Sequence, residues 1–139
     1  MKRRRAGFTL LEIMVVVFIL GLLATIVAPK IIGRTDDARR TKAIADLKGI
    51  EQALNLYRLD SGGYPSTEQG LDALVHRPEK PPVPRAWNPN GYLERVPLDP
   101  WGAPYVYLSD GSRFTLKSYG ADSIEGGAGK FADLDSHDF

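Results

Sequence analysis

The chain has 139 residues, enough for one modest core plus one further element and too few for two domains with separate cores. It contains no cysteine, which removes disulfide staples, zinc–thiolate sites and thiol nucleophiles, and its two histidines, His76 and His137, stand in no metal-pair or triad spacing. The formal net charge of +1 hides an asymmetry: Lys2, Arg3, Arg4 and Arg5 open the chain, and the rest holds 14 basic against 17 acidic residues, so the body lacks the basic footprint of a nucleic-acid binder.

From Phe8 to Ala28 the chain reads "FTLLEIMVVVFILGLLATIVA", 21 residues with Glu12 as the only charge. A helix of about 20 apolar residues crosses the hydrocarbon core of a bilayer. The basic cluster before it directs residues 1–7 to the cytoplasm and everything after Pro29 to the far side. A cleaved signal peptide is the plainer reading, but this apolar run exceeds a usual signal core and its small-residue cleavage pattern near Ala28 is weak. A plain anchor leaves Glu12 unexplained, since a charge toward the middle of a membrane helix costs about 2.5 to 3.5 kcal/mol and less near the interface.

The stretch "GFTLLE", Gly7 to Glu12, followed by an unbroken apolar helix, resembles the processing site of type IV pilins and pseudopilins. The resemblance implies cleavage by a prepilin peptidase between Gly7 and Phe8, methylation of the new amino group of Phe8, and retention of residues 8–29 as anchor and assembly helix. Glycine before the cut removes bulk where a protease approaches the backbone. The new cationic amine on Phe8 would lie one helical turn from Glu12, because residues four apart share a helix face. An opposite charge of this kind offsets part of the cost of burying the carboxylate. The resemblance further implies that Glu12 guides register and recruitment as subunits stack into a filament, with small residues such as Gly21 and Ala24 allowing close helix approach.

Pro29 and Gly33 predict a kink or weak turn. Beyond Thr35, apolar residues at Ile44, Leu47, Ile50, Leu54 and Tyr57 recur three or four apart, predicting an amphipathic helix to about Asp60, stopped by "SGGYP". Its stripe reads as core contact with the domain C-terminal to it. Residues 66–77 open with Ser66 three before Gln69, a capping-box spacing, and predict a short helix. The next segment, "PEKPPVPRAWNPNGYLERVPLDP", carries seven prolines and predicts an irregular surface loop. "DPWG", Asp99 to Gly102, fits a type I turn, and "APYVYLS" and "RFTLKSYG" alternate as the strands of a hairpin about "DGS".

The tail "YGADSIEGGAGKFADLDSHDF" holds Asp122, Glu125, Asp133, Asp135 and Asp138 among clustered glycines. Read alone it is either a flexible acidic tail or a loop offering the oxygens a hard cation needs. It does not match the EF-hand spacing.

The order of long N-terminal helix, loop and small antiparallel sheet, an α+β class, is that of the pilins, and "DPWGAPY" resembles the major pseudopilins of type II secretion systems in particular. Many type IVa pilins carry a C-terminal cysteine pair that this chain lacks. The resemblance implies a pilin-like fold with a calcium-binding loop: Asp122, after "GA", is the best-matched ligand, Asp133 of the later "AD" a weaker one, and the backbone carbonyl of Tyr119 a further one. It divides the chain into a cleaved basic leader (1–7), a transmembrane and assembly helix (8–29) and a periplasmic globular domain (30–139).

It also implies a single-pass subunit of the bacterial inner membrane that polymerises with itself into a periplasmic pseudopilus driving protein export. Its implied partners are minor pseudopilins, the prepilin peptidase and the inner-membrane secretion platform, with no nucleic acid. A type IV pilin or competence-type pilin is the alternative. An enzyme is not expected, as no nucleophile and base pair is visible in the sequence.

Overall fold

The computed structural model describes residues 7–139, with the side chains of 27–34 left aside; the basic leader, 1–6, lies outside the described residues. Helix α1 runs Leu10–Ser61 and contributes to two compact units, Met1–Asp37 and Ala38–Phe139.

In the first unit, Thr9 starts the helix. Its Oγ1 accepts a hydrogen bond from the Glu12 amide at 3.2 Å, and its carbonyl accepts one from the Ile13 amide at 3.2 Å. This is N-capping, in which a side-chain oxygen satisfies one of the orphan amides of the first turn. The apolar side chains from Leu10 to Ile26 are exposed all round the helix. A helix that is apolar on every face is built to be covered. No helix among the described residues is long and apolar enough to cross a membrane. The apolar run extends in sequence to Ala28, where the side chains are not described. The backbone from Pro29 to Gly33 stays helical, so the predicted turn is not formed there. An interior proline removes one amide donor and crowds the carbonyl four residues back, which bends a helix more readily than it opens a turn in one held on both sides.

In the second unit, α1 presents the predicted stripe. Ala43, Leu47, Ile50, Leu54 and Tyr57 are buried, and Ile44 packs at the edge of the same cluster. Against them lie Leu71, Leu74, Tyr105, Tyr107, Leu116 and Leu134. The sheet has three strands, β1 (Val106–Ser109), β2 (Phe114–Ser118) and β3 (Leu134–Asp135), in the order β1-β2-β3 and antiparallel throughout. Val106 faces Lys117, and Ser118 faces Leu134. The hairpin was legible in the alternation. The third strand, two residues long, was not.

The capping box after α1 forms in both directions: the Ser66 amide donates to Gln69 Oε1 at 2.9 Å, and the Gln69 amide to Ser66 Oγ at 3.2 Å. The helix predicted over 66–77 is nonetheless cut short. Gly70, at φ +61°, breaks the run, and only a 3-10 turn, Leu71–Leu74, comes after it. Gln69 then spends its amide nitrogen on the carbonyls of Lys80 (2.7 Å) and Pro82 (3.0 Å), while Trp87 Nε1 donates to the Ala73 carbonyl at 3.0 Å. A proline-rich loop cannot form a ladder, so Gln69 satisfies two of its carbonyls from outside and Trp87 ties it back to the turn.

Four tyrosines bind their protons more tightly than a free phenol, Tyr57 among them through burial. Burial pushes Tyr107 up to about 12, and burial together with the hydrogen bond to Asp60 pushes Tyr92 up to about 12. Tyr105 is raised further by burial and by the charge of Asp46, to which its hydroxyl donates at 3.1 Å. The unfolded phenols ionise near 10.0, so the folded state holds more protons above that pH. Their contribution to stability is complete below pH 10 and is lost as pH rises toward 12. Alkaline titration of the full chain should show phenolate absorbance appearing together with unfolding; phenols titrating at their ordinary pH with the fold intact would contradict this.

Candidate functional site

Two regions carry the residues singled out by the sequence, and each belongs to one unit. The first is the N-terminal end of α1. Gly7 and Phe8 precede the helix in non-helical, exposed backbone. A Cβ placed on Gly7 would meet nothing within 4 Å, so the fold of the chain does not require glycine at this position. Phe8 is 80 % exposed.

The structure changes the expected geometry of Glu12. Because Thr9 caps the helix, Phe8 lies outside it, and the two residues do not occupy successive turns of one helix face. Thr9 and Glu12 instead stand in the T-x-x-E spacing of a capping box, of which the Glu12 amide to Thr9 Oγ1 bond is one half. Glu12 also sits in the first helical turn, where the helix dipole favours a carboxylate. The spacing was present in the sequence, hidden inside an apolar motif.

The second region is the C-terminal loop. A 3-10 turn, Gly120–Asp122, comes after β2 with Tyr119 as its N-cap, and a second, Gly129–Phe131, packs against it. Asp122 is exposed and its Oδ1 accepts from the Ile124 amide at 3.2 Å. Asp133 is half-buried: Oδ2 accepts from the Gly126 amide at 3.0 Å, whereas Oδ1 is buried without a hydrogen-bond partner. Such an atom is costly unless something else satisfies it. Gly127, at φ +94°, passes so close to the Phe131 carbonyl that any Cβ would overlap it, which fixes glycine there. From α1, Arg40 Nη1 donates to the carbonyls of Ala132 (3.3 Å) and Gly129 (3.5 Å).

The acidic residues separate by task. Asp135 pairs across the strands with Lys117 at 3.9 Å and caps the final turn by accepting from the His137 amide at 3.0 Å. His137 Nε2 lies 3.0 Å from the Phe114 carbonyl. Among the described residues no group of three or more His, Cys, Asp or Glu side chains gathers as a metal cage. From the first turn to β3 the segment carries the carboxylates of Asp122, Glu125 and Asp133, together with its backbone carbonyls. An all-oxygen set with one orphaned, buried carboxylate oxygen fits a hard cation such as calcium better than a transition metal.

Sequence reasoning missed one feature next to this loop. Asp99, at the head of "DPWG", is buried, and its Oδ1 accepts from the amides of Trp101 (3.1 Å) and Ala103 (2.8 Å). The turn closes through the Gly102 amide to the Asp99 carbonyl at 3.0 Å, as the spacing predicted. The second oxygen of Asp99 accepts from the hydroxyl of Ser118 at 2.7 Å. Nothing in the local pattern links positions 99 and 118.

The family described as type II secretion system (T2SS), protein G, matches residues 30–137, and the prokaryotic N-terminal methylation motif matches residues 2–28. The type II secretion system core protein G of Pseudomonas aeruginosa is 51 % identical over 139 residues, covering 99 % of this chain and 98 % of the relative. That of Vibrio cholerae is 48 % identical over 134 residues, covering 95 % and 91 %. The crystal structure of the major pseudopilin from the type 2 secretion system of enterohaemorrhagic Escherichia coli superposes with a TM-score of 0.66 at 41 % identity, covering 74 % of this chain and 86 % of that one. The fold is thus pilin-like, with a long N-terminal helix and a small antiparallel sheet. The matched proteins are secretion-system components and not enzymes. The chain belongs to the protein G family of type II secretion systems.

Proposed function

We propose that this chain is a major pseudopilin that is cut between Gly7 and Phe8 by a prepilin peptidase, methylated on Phe8, and polymerised into a periplasmic pseudopilus that drives protein export. The observation that carries the reading is the adjacency, in one short chain, of a methylation motif over 2–28 and a protein G domain over 30–137. Residues 8–29 anchor the subunit in the inner membrane before assembly and form the filament core afterwards, with 30–139 in the periplasm. The exposed apolar sleeve from Leu10 to Ile26 supports this, since both lipid and neighbouring helices would cover it. The partners on this reading are other copies of the chain, minor pseudopilins and the inner-membrane platform.

The loop after β2 is proposed to hold calcium through the carboxylates of Asp122 and Asp133 and the backbone carbonyl of Tyr119. The cation would supply positive charge between groups that otherwise repel, so that its binding energy becomes folding energy of the tail. The orphaned Oδ1 of Asp133 supports this assignment.

The mass of the mature subunit recovered from cells tests the processing step. A product beginning with methylated Phe8 is expected. One that retains Met1, or begins at unmodified Pro29, would overturn the reading.

A further inference from the structure

We propose that Asp99 and Ser118 are the positioning pair of the Asp122 turn, a buried relay that sets the cation affinity of the C-terminal loop from the "DPWG" turn. The inference rests on the calcium reading of that loop. Ser118 is fully buried at the end of β2, and Asp99 is only 4 % exposed. A carboxylate can only accept, so the Ser118 hydroxyl must donate its proton to Asp99 Oδ2, at 2.7 Å. That leaves the lone pairs of Ser118 Oγ for the Gly120 amide, which donates at 3.1 Å. The direction of every bond from Ala103 and Trp101, through Asp99 and Ser118, to Gly120 is therefore fixed.

Gly120 is where this matters. It opens the Gly120–Asp122 turn at φ +70°, and its Cα lies so close to the Ala132 carbonyl that a Cβ would stand 3.3 Å from that oxygen. Fixing Gly120 thus sets Asp122, two residues on, and the distance of closest approach to the segment that carries Asp133. An apolar pair of equal volume would fill the same space without specifying a direction. Groups that orient metal-binding side chains from behind commonly govern affinity by about 10- to 100-fold.

The test uses the full chain in detergent, titrated with calcium chloride, with two readouts: the calcium concentration giving half the thermal stabilisation, and amide exchange of residues 120–133 in chelator. Ser118→Ala should raise the calcium midpoint about 10- to 100-fold and accelerate exchange through 120–133. Asp99→Asn, which keeps the shape but puts the amide NH2, a donor, where Oδ2 accepts from Ser118, should do the same and serves if Ser118→Ala does not fold. Ser136→Ala is the control, since the Ser136 hydroxyl is buried without a partner and removing it breaks no relay. A purely structural role predicts an equal loss of melting temperature with and without calcium and a midpoint matching the control, and that result would overturn the proposal. If the wild-type chain ignores calcium, the calcium reading fails and the claim on affinity is overturned with it; exchange then decides only whether the pair orders the turn, with faster exchange confined to 120–133 showing that it does and unchanged exchange that it does not.

Discussion

Chelating calcium should lower the melting temperature of the full chain, and Asp133→Ala should reproduce that loss with calcium present. Oδ1 of Asp133 is a carboxylate oxygen shut away from water and without a donor, while Oδ2 of the same group holds the Gly126 amide. A buried unpaired acceptor costs about 1 to 3 kcal/mol, which a cation would recover. Extracellular sites of this kind bind calcium at roughly 10⁻⁴ to 10⁻³ M. At about 10 mM calcium the linkage gain is then about 1.4 to 2.7 kcal/mol, on the order of 10 °C for a unit of this size. Magnesium, smaller and reluctant to lose water, should not substitute in a flexible loop of carbonyls and carboxylates. Asp122→Ala should weaken binding as well, and Asp135→Ala should not, since Asp135 serves Lys117 and the His137 amide instead. A melting temperature indifferent to chelator would remove the site.

How far the sequence anticipates the structure depends on the range of the interactions. The α1 stripe and the hairpin were legible because periodicity is local: spacings of three and four mark one helix face, and alternation marks one sheet face. The Ser66–Gln69 box and the "DPWG" turn were legible for the same reason, each being closed within five residues. The helix expected over 66–77 shrank to Leu71–Leu74 because one glycine at positive φ outweighed an otherwise favourable pattern. The strand β3 was invisible because two residues show no alternation, and its existence depends on Ser118 meeting Leu134 across the sheet. Among the site residues, Asp122 and Asp133 were chosen by resemblance, and the buried, unpartnered oxygen of Asp133 is a feature that no local pattern shows. Ser118 carries no local signal, since its partner lies 19 residues away. Thr9 was overlooked although its spacing to Glu12 is a helix-start pattern.

The Thr9 cap sharpens the second large prediction. Glu12→Ala should leave cleavage after Gly7 intact and reduce polymer yield by at least about tenfold. Burying a lone carboxylate in an apolar core costs about 2.5 to 3.5 kcal/mol. On the proposed reading, a cationic amine on the processed N-terminus of a neighbouring subunit would offset this only when subunits dock in register, and mispositioned subunits would keep the cost, so that the charge would select one register. The capping box offers a competing explanation, in which Glu12 matters only because it steadies the first turn of α1 beside Thr9.

Glutamine separates the two, because it serves at the third position of a capping box but carries no charge. The decisive measurement is therefore the amount of sedimentable polymer formed by Glu12→Gln in cells, compared with wild type at equal levels of mature subunit. If the charge selects the register, Glu12→Gln fails as completely as Glu12→Ala; wild-type polymer from Glu12→Gln would contradict this and return Glu12 to a capping role.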